Sequence, residues 1–352
     1  MNIRSFGRSP RGERLARIRS TENYRNGSFQ NVEPTEVNPG NVSIFRILKG
    51  MLSRPSSVRP STEIPNVRSD LKELDRERPA LVWFGHSSYF LQVDGFKILV
   101  DPVFSGNASP FRLFGKAFEG SDHFNAEDLP ELDLLILTHD HYDHLDWPSI
   151  KKLVPKTGSV VASLGVGAHL EYWGVEKGKI TELSWWQDHS VNEHLKITAT
   201  PSRHFSGRGF QRGKTLWSSF VLRVNGYKFF LGGDSGYDKR FSEIGKRFGP
   251  FDLAFLECGQ YNKYWPQIHM FPEQTLMAGK DLQAKQIIPV HWGKFVLSTH
   301  PWNEPIRRFT SAAENEGFSY AAPKIGEPCY FQEKYYQQDW WEFETKTTDH
   351  GR

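Results

Sequence analysis

Residues Thr138-His139-Asp140-His141-Tyr142-Asp143-His144-Leu145-Asp146 set three imidazoles and a carboxylate in the pattern His-x-His-x-Asp-His. Imidazole nitrogen and carboxylate oxygen are the ligands that zinc and similar divalent ions take, and a cluster this dense points to two ions rather than one. The stretch directly follows Leu134-Leu135-Ile136-Leu137, an apolar run with the length and aliphatic character of a buried strand. The ligand pattern therefore falls on a loop leaving a strand tip, where several short side chains can turn toward one point. A merely soluble, His-rich turn is the competing explanation, and such a turn has no reason to be echoed elsewhere. Yet the order strand, ligand-type residue, then small or turn residue recurs downstream. His204 follows residues 195–200, Asp234 follows residues 227–231 and the pair Gly232-Gly233, and His291 follows residues 286–290. Paired glycines also let backbone approach a ligand closely.

Other stretches belong with these. They are Trp83-Phe84-Gly85-His86-Ser87-Ser88, Asp101-Pro102-Val103-Phe104-Ser105, Gly245-Lys246-Arg247-Phe248-Gly249-Pro250-Phe251-Asp252-Leu253, His269-Met270-Phe271-Pro272-Glu273 and His291-Trp292-Gly293. With them, the chain from about residue 81 to about residue 330 resembles the metallo-β-lactamase fold superfamily. Within it the chain looks most like the N-acylphosphatidylethanolamine-hydrolysing phospholipase D branch and its bacterial relatives. Sugar-phosphate lactonases of the same superfamily share several of these stretches.

The resemblance implies an α+β fold, a four-layer αββα sandwich of two mixed β-sheets flanked by helices. It also implies a ligand set. His139, His141 and His204 would hold a first metal, Asp143, His144 and His291 a second, and Asp234 would bridge them. Period-two alternation independently lets positions 139 and 141 point the same way. Two divalent ions are expected, zinc first, with manganese and iron open because His and Asp serve all three. Four positive charges set against Asp143, Asp234 and a shared hydroxide leave the site net positive, suited to an anionic or strongly polarised ester. Ions about 3.5–4 Å apart lower the pKa of a shared water and clamp attacking and leaving oxygens.

The expected activity is hydrolysis of a phosphodiester in N-acylphosphatidylethanolamine or a related amphiphile, with Asp143, Asp234 and His269 closest to the chemistry. One alternative is hydrolysis of a small phosphorylated sugar lactone or acyl ester; another is a metal-binding scaffold or sensor without turnover. A nuclease is disfavoured, because the spacings between ligands leave no room for an inserted clamp domain. His269 could contact substrate or leaving group, a role that geometry must decide. Arg208 could pair with phosphate, as guanidinium does well, or be a solvated loop arginine. Behind the ligands, Asp146 could orient an imidazole or cap the helix starting near Trp147-Pro148. Asp101 could orient a ligand or stabilise its turn, and His86 reads as structural support.

These side chains need a scaffold. Strand candidates cover residues 81–84, 88–93, 97–100, 134–137, 160–163, 196–200, 220–224, 228–231, 253–256 and 287–290. Helix candidates cover 148–153, 166–173, 239–248, 272–282 and 304–316. Strands then helix, twice over, fit two packed sheets flanked by helices. The hydrolase domain is expected over residues 76–335, with a basic, Pro/Asn/Ser-rich extension over 1–75 and an aromatic, polar tail over 336–352. Within the extension, Ile44, Ile47, Leu48 and Met51 recur at helical spacing, so a short apolar helix is expected near 42–52. In the phospholipase branch such a segment helps shape a lipid-facing entrance; here it could equally make a homodimer contact. The ring-rich tail could pack back on the domain or offer a contact surface.

Composition narrows the setting. The chain has 352 residues, 38% of them hydrophobic, and a net charge of +3. No apolar run approaches the roughly 20 residues needed to cross a membrane, and no secretory signal is visible. A cytoplasmic enzyme is expected, with peripheral membrane association as the variant. Two cysteines, Cys258 and Cys329, form no Cys-x-x-Cys pair and no disulfide framework. Residues 1–25 carry seven arginines against two glutamates. Near an anionic bilayer each basic residue is worth on the order of 1 kcal/mol, but a solvated arm, or one laid across the enzyme, is favoured. No nucleic-acid module is present.

Overall fold

A computed structural model describes residues 3–37, 53–111, 114–209, 211–331, 335 and 338–343. The apolar helix expected near 42–52 and much of the tail lie outside the described residues.

Alternation in apolar strands builds two mixed sheets. The first is formed by β1 (Ala80–Trp83), β2 (Tyr89–Val93), β3 (Phe96–Val100), β4 (Leu132–Leu137), β5 (Thr157–Ser163), β6 (Ile180–Leu183) and, much later, β13 (Pro328–Tyr330). Their order is β13-β1-β2-β3-β4-β5-β6. Pairing is antiparallel from β13 to β3 and parallel from β3 to β6. The second sheet contains β7 (Asp188–Ser190), β8 (Leu195–Pro201), β9 (Ser218–Val224), β10 (Tyr227–Leu231), β11 (Phe251–Glu257) and β12 (Ala284–Val290), in the order β12-β11-β10-β9-β8-β7. Here β12, β11 and β10 are parallel and the remaining pairs antiparallel.

Both faces of the inner strands are largely buried, as sheets with covered faces require. Leu134 and Ile136 of β4 join the core between the sheets, while Leu135 and Leu137 join the outer core under the helices, the period-two division of a strand. Tyr89 of one sheet stacks on Phe255 of the other, with ring centroids 4.2 Å apart. Outside the first sheet lie α2 (Trp147–Leu153) and α3 (Gly167–Tyr172), burying Ile150, Leu153 and Leu170. Outside the second lie α4 (Arg240–Phe248), α5 (Pro272–Asp281) and α6 (Glu304–Asn315). The last buries Pro305, Ile306, Phe309, Thr310 and Ala313, the stripe of an amphipathic helix. The result is the four-layer αββα sandwich.

All ten expected strands and five expected helices are present, most extended by one to three residues. Three short edge strands, β6, β7 and β13, had no sequence signal, and neither did α1 (Gly12–Arg19). The basic N-terminal stretch is laid across the domain rather than solvated. Ile18 of α1 is buried with Phe29, Leu164, Leu216 and Trp217, and Arg14 pairs with Glu171 at 2.8 Å and Glu182 at 2.6 Å. At the other terminus Trp340 stacks on Trp292 at 5.2 Å, so the described part of the tail packs back. Among the described residues no helix is long and apolar enough to cross a membrane.

Candidate metal centre

Six strands of the two sheets end on the same edge of the sandwich, and each delivers a polar side chain there. β3 leads to Asp101, β4 to the 138–144 loop, β8 to His204, β10 to Asp234, β11 ends in Glu257, and β12 leads to His291. Their side chains converge. The ligand atoms of His139, His141, His204 and Asp234 lie within 4.8 Å of one another, as do those of His86, Asp143, His144 and His291. A third group with the same spread joins Asp234, Glu257, His269 and His291.

Asp234 stands in the middle. Its Oδ2 is 3.6 Å from His204 Nε2, 3.8 Å from His139 Nε2 and 3.2 Å from His291 Nε2, while Oδ1 is 3.1 Å from His144 Nε2. His141 presents Nδ1, 3.0 Å from His139 Nε2 and 3.2 Å from His204 Nε2. Asp143 Oδ2 lies 3.6 Å from both His144 Nε2 and His291 Nε2. The seven residues named from the sequence are thus brought together, with His86 joining Asp143, His144 and His291, and Asp234 within reach of both histidine groups.

Tautomers are set from behind. Asp101 Oδ2 accepts from His144 Nδ1 at 2.8 Å and from Thr138 Oγ1 at 2.5 Å, and Oδ1 accepts from Thr138 N at 2.8 Å. His204 Nδ1 donates to the Ile268 carbonyl at 2.9 Å, and His291 Nδ1 to the Gly259 carbonyl at 3.3 Å. Each of these protons leaves Nε2 as the lone-pair nitrogen facing the cluster, the outer arrangement that metal-ligating histidines use. His86 Nε2 donates to Asp143 Oδ2 at 2.9 Å. His269 Nδ1 donates to Glu257 Oε2 at 2.7 Å, and Glu257 Oε1 accepts the amides of Ser235 and Met270.

Do these residues fit divalent ions? Three buried atoms, His144 Nε2, His291 Nε2 and Asp234 Oδ1, have no hydrogen-bond partner. Leaving a buried polar atom unpaired costs about 1–3 kcal/mol, and here the unpaired atoms share one space. Cations satisfy them together, and the His/Asp donor set suits zinc, manganese or iron. The charges in the metal-free protein agree. Burial holds the His139 and His204 imidazoles well below their usual range. Burial also opposes charge on His144, yet Asp234 and Asp143 hold it well above that range. His291 is likewise pushed up to about 10, by Asp234 and Asp143 acting against burial. Protons on His144 and His291 stand in for cations, so metal uptake releases them.

Two named residues sit elsewhere. Asp146 caps α2, accepting from Ser149 N at 3.3 Å and from Ser105 Oγ at 2.9 Å. Arg208 is buried, and its hydrogen bonds go to the carbonyls of Ser5, Asp140 and Leu145. Glu257 went unnamed although it ends a strand as the other ligands do; the expected strand stopped at 256, one residue short.

The comparisons with known proteins agree with the geometry. The β-lactamase superfamily domain profile matches residues 97–292. An uncharacterised protein of Mycobacterium tuberculosis is 40% identical over 310 residues, 87% of this chain and 83% of its own. The mitochondrial N-acyl-phosphatidylethanolamine-hydrolyzing phospholipase D of Saccharomyces cerevisiae is 36% identical over 246 residues, 67% of this chain and 52% of that one. Igni18, a metallo hydrolase from the archaeon Ignicoccus hospitalis, shares the fold with a TM-score of 0.55 at 23% identity, covering 73% of this chain and 99% of its own. With its paired ligand groups, the chain belongs to the β-lactamase superfamily as one of its metal-dependent hydrolases.

Proposed function

We propose that the protein is a phosphodiesterase of phospholipase D type that acts on an N-acylated ethanolamine phospholipid. His139, His141 and His204 hold one divalent ion, Asp143, His144 and His291 a second, and Asp234 both. When bound, the ion pair supplies the acidity that ionises an attacking water and the charge that stabilises the phosphoryl oxygens. The protein supplies position. Asp101 and the Ile268 and Gly259 carbonyls keep three imidazoles in the ligating tautomer, and His86 fixes Asp143. Five neutral imidazoles and two carboxylates leave two of the ions' four charges uncancelled, which favours an anionic phosphodiester.

In this reading His269 meets the leaving group. Its ring lies 5.0 Å from that of His204 and 5.1 Å from that of His291, and Glu257 occupies its Nδ1, leaving Nε2 for the substrate side. Acting as an imidazolium paired with Glu257, it would give its Nε2 proton to the ethanolamine oxygen as the P–O bond breaks and recover one from the water that has attacked phosphorus.

The observation that carries the lipid reading is the wall beside the ligands. A cavity of about 190 Å³ beside His204 has a mixed lining, the apolar Phe29, Val37, Phe205 and Trp217 with the polar Asn31, Glu33 and Arg212, which suits an amphiphile where its headgroup meets its chains. Phe205 itself stands 4.5 Å from the His141 ring. Arg208, the arginine best placed in sequence to grip a sugar phosphate, spends its donors on carbonyls. The yeast phospholipase D relative supports the same reading.

The test is metal-loaded protein with N-acylphosphatidylethanolamine in mixed micelles. N-acylethanolamine and phosphatidic acid should form in equal amounts and disappear with chelator, with His139→Ala and with Asp234→Asn. Inertness toward this lipid, together with ring-opening of a phosphorylated sugar lactone, would replace the phosphodiesterase by the lactonase.

A further inference from the structure

Three buried side chains that this hydrolytic scheme leaves idle tie the N-terminal segment to the metal loop. Arg208 is the first. Its Nη1 donates to the carbonyls of Asp140 and Leu145, each at 2.7 Å, so one nitrogen staples the two ends of the loop that bears the ligands. Its Nε and Nη2 both donate to the Ser5 carbonyl, at 3.0 Å and 2.5 Å. The guanidinium is sandwiched by Tyr142, 4.1 Å from its ring centre, and Trp173, 5.3 Å away. Trp173 is the second tie, donating from Nε1 to the Arg4 carbonyl at 2.7 Å. His169 is the third. Its Nε2 donates to Asp140 Oδ2 at 3.2 Å, and its Nδ1 accepts from the Arg8 amide at 3.0 Å. The Asp140 carboxylate also accepts from Gly207 N and Thr215 Oγ1.

We propose that residues 3–9 are a positioning part of the metal centre: through Arg208, Trp173 and His169 they hold the 139–144 loop in the geometry that retains its ions. The proposal rests on reading that loop as a source of metal ligands. A buried guanidinium must have all its N–H groups paired. Without Ser5, Nε and Nη2 lose their acceptor, and the guanidinium must turn toward water, releasing the Asp140 and Leu145 carbonyls as it goes. His169 loses the amide that fixes its tautomer, and with it a firm hold on Asp140, which sits between His139 and His141. The segment stays in place because α1, just beyond it, is anchored by Ile18 and Arg14.

Every one of the three grips is on N-terminal backbone, at Arg4, Ser5 and Arg8. One side chain is nevertheless constrained. Gly7 has φ +68°, and a methyl group built on it would overlap the His169 imidazole. That imidazole cannot swing aside, since both its nitrogens are engaged and its ring lies over Trp173.

The experiment is metal affinity, read by zinc competition with a chromophoric chelator and by the visible spectrum of the cobalt(II)-loaded protein, so no substrate is required. Gly7→Val, Arg208→Lys and a chain lacking residues 1–9 are compared with parent and with Arg11→Ala, an exposed change in the same segment. Losing an outer partner of a metal site weakens binding by roughly 10–100-fold, and that is the loss expected for the first three, with altered cobalt bands, at unchanged far-UV circular dichroism. Arg11→Ala should bind as the parent does. A peptide of residues 1–9, added in large excess to the shortened chain, should restore affinity. Zinc affinity within twofold of parent in Gly7→Val and the shortened chain, both unfolding cooperatively, would overturn the proposal. If the shortened chain does not fold, Gly7→Val and Arg208→Lys decide alone. A parent that takes up no divalent ion would remove the metal assignment itself, and a parent that binds ions yet ignores the lipid would remove only the phospholipase reading.

Discussion

Replacing Asp101 with asparagine changes one hydrogen-bonding function in the site and almost nothing else. Asp101 has φ +40°, a left-handed conformation that asparagine tolerates as well as aspartate does. Its carboxylate accepts three bonds, from Thr138 N on Oδ1 and from Thr138 Oγ1 and His144 Nδ1 on Oδ2. The amide oxygen can take over the first. The NH2 group then faces His144 Nδ1, which must become an acceptor, so the imidazole proton moves to Nε2. That nitrogen lies 3.1 Å from Asp234 Oδ1 and is the one a cation needs.

The expected consequence is selective. The ion held by Asp143, His144 and His291 should bind roughly 10–100-fold more weakly, about 1.4–2.8 kcal/mol, while the His139, His141 and His204 ion keeps its ligands. In the metal-free protein His144 carries a proton, and losing its charge-assisted bond to Asp101 should lower stability by about 1.5–3 kcal/mol. Dialysis against buffered free zinc followed by atomic emission should count two ions in the parent and one in Asp101→Asn at an intermediate zinc level. Two ions at parental affinity in a cooperatively unfolding Asp101→Asn would show that the tautomer argument is wrong.

Three further outcomes are expected. Stripping the ions with chelator should lower the melting temperature, since a ligand at a hundredfold excess over its Kd stabilises by about 2.7 kcal/mol; calorimetry with and without added zinc measures this. Gly279→Ala, in α5, drives a methyl into Ile287 of β12, so chemical denaturation should report a loss of about 1–3 kcal/mol with metal content unchanged. The hydrogen bond from Arg14 is the largest influence holding the Glu171 carboxyl below its usual range. The pair therefore stabilises the docking of α1 above the ordinary glutamate value, about 4.3, and that support fades as pH falls through the depressed value. Amide exchange in α1 should be faster in Arg14→Ala than in parent at neutral pH, and the difference should shrink in acid.

Strand positions were readable because their apolar runs are buried on both faces, and no competing helical period overlays them. β7, Asp188–Ser190, was not readable: three polar residues become a strand only because β8 offers them an edge. The ligand-type residues were legible because each follows a strand; Asp101, Asp146 and His86 could be named behind them, but not which ligand each would hold. Asp101 and Asp146 are both loop aspartates beside the metal motif, and only the tertiary fold gives His144 to one and a helix N-terminus to the other. Arg208 shows the limit of reasoning from residue type. Guanidinium chemistry suggested phosphate, whereas three main-chain carbonyls, one of them over two hundred positions away, decided its place. In the N-terminal segment the arginines drew attention, yet only Arg14 among them is half-buried in an ion-pair cluster, while the grips on the metal loop are made by the backbone of Arg4, Ser5 and Arg8.

The ligands also explain a backbone cost. Among the described residues nine non-glycine positions have positive φ, and three of them, His86, Asp101 and His291, lie in this centre. Such conformations cost of order 1–3 kcal/mol each and persist only where surrounding structure over-determines them. Here the hold comes from across the sandwich. The His86 amide donates to the Trp292 carbonyl and the His291 amide to the His86 carbonyl, both at 2.8 Å, so the loops leaving β1 and β12 lock each other. Those strands belong to different sheets. The first sheet supplies the 139–144 ligands together with His86 and Asp101; the second supplies His204, Asp234, Glu257 and His291. Neither triplet, His139, His141 and His204 or Asp143, His144 and His291, is complete on one sheet, so the two-ion centre forms only when the sheets have packed, and ions bound there would hold the sheets together. Metal affinity in this protein is therefore partly a measurement of inter-sheet packing, and Phe255→Ala, which empties the contact with Tyr89 across the two sheets, should weaken ion binding as well as the fold.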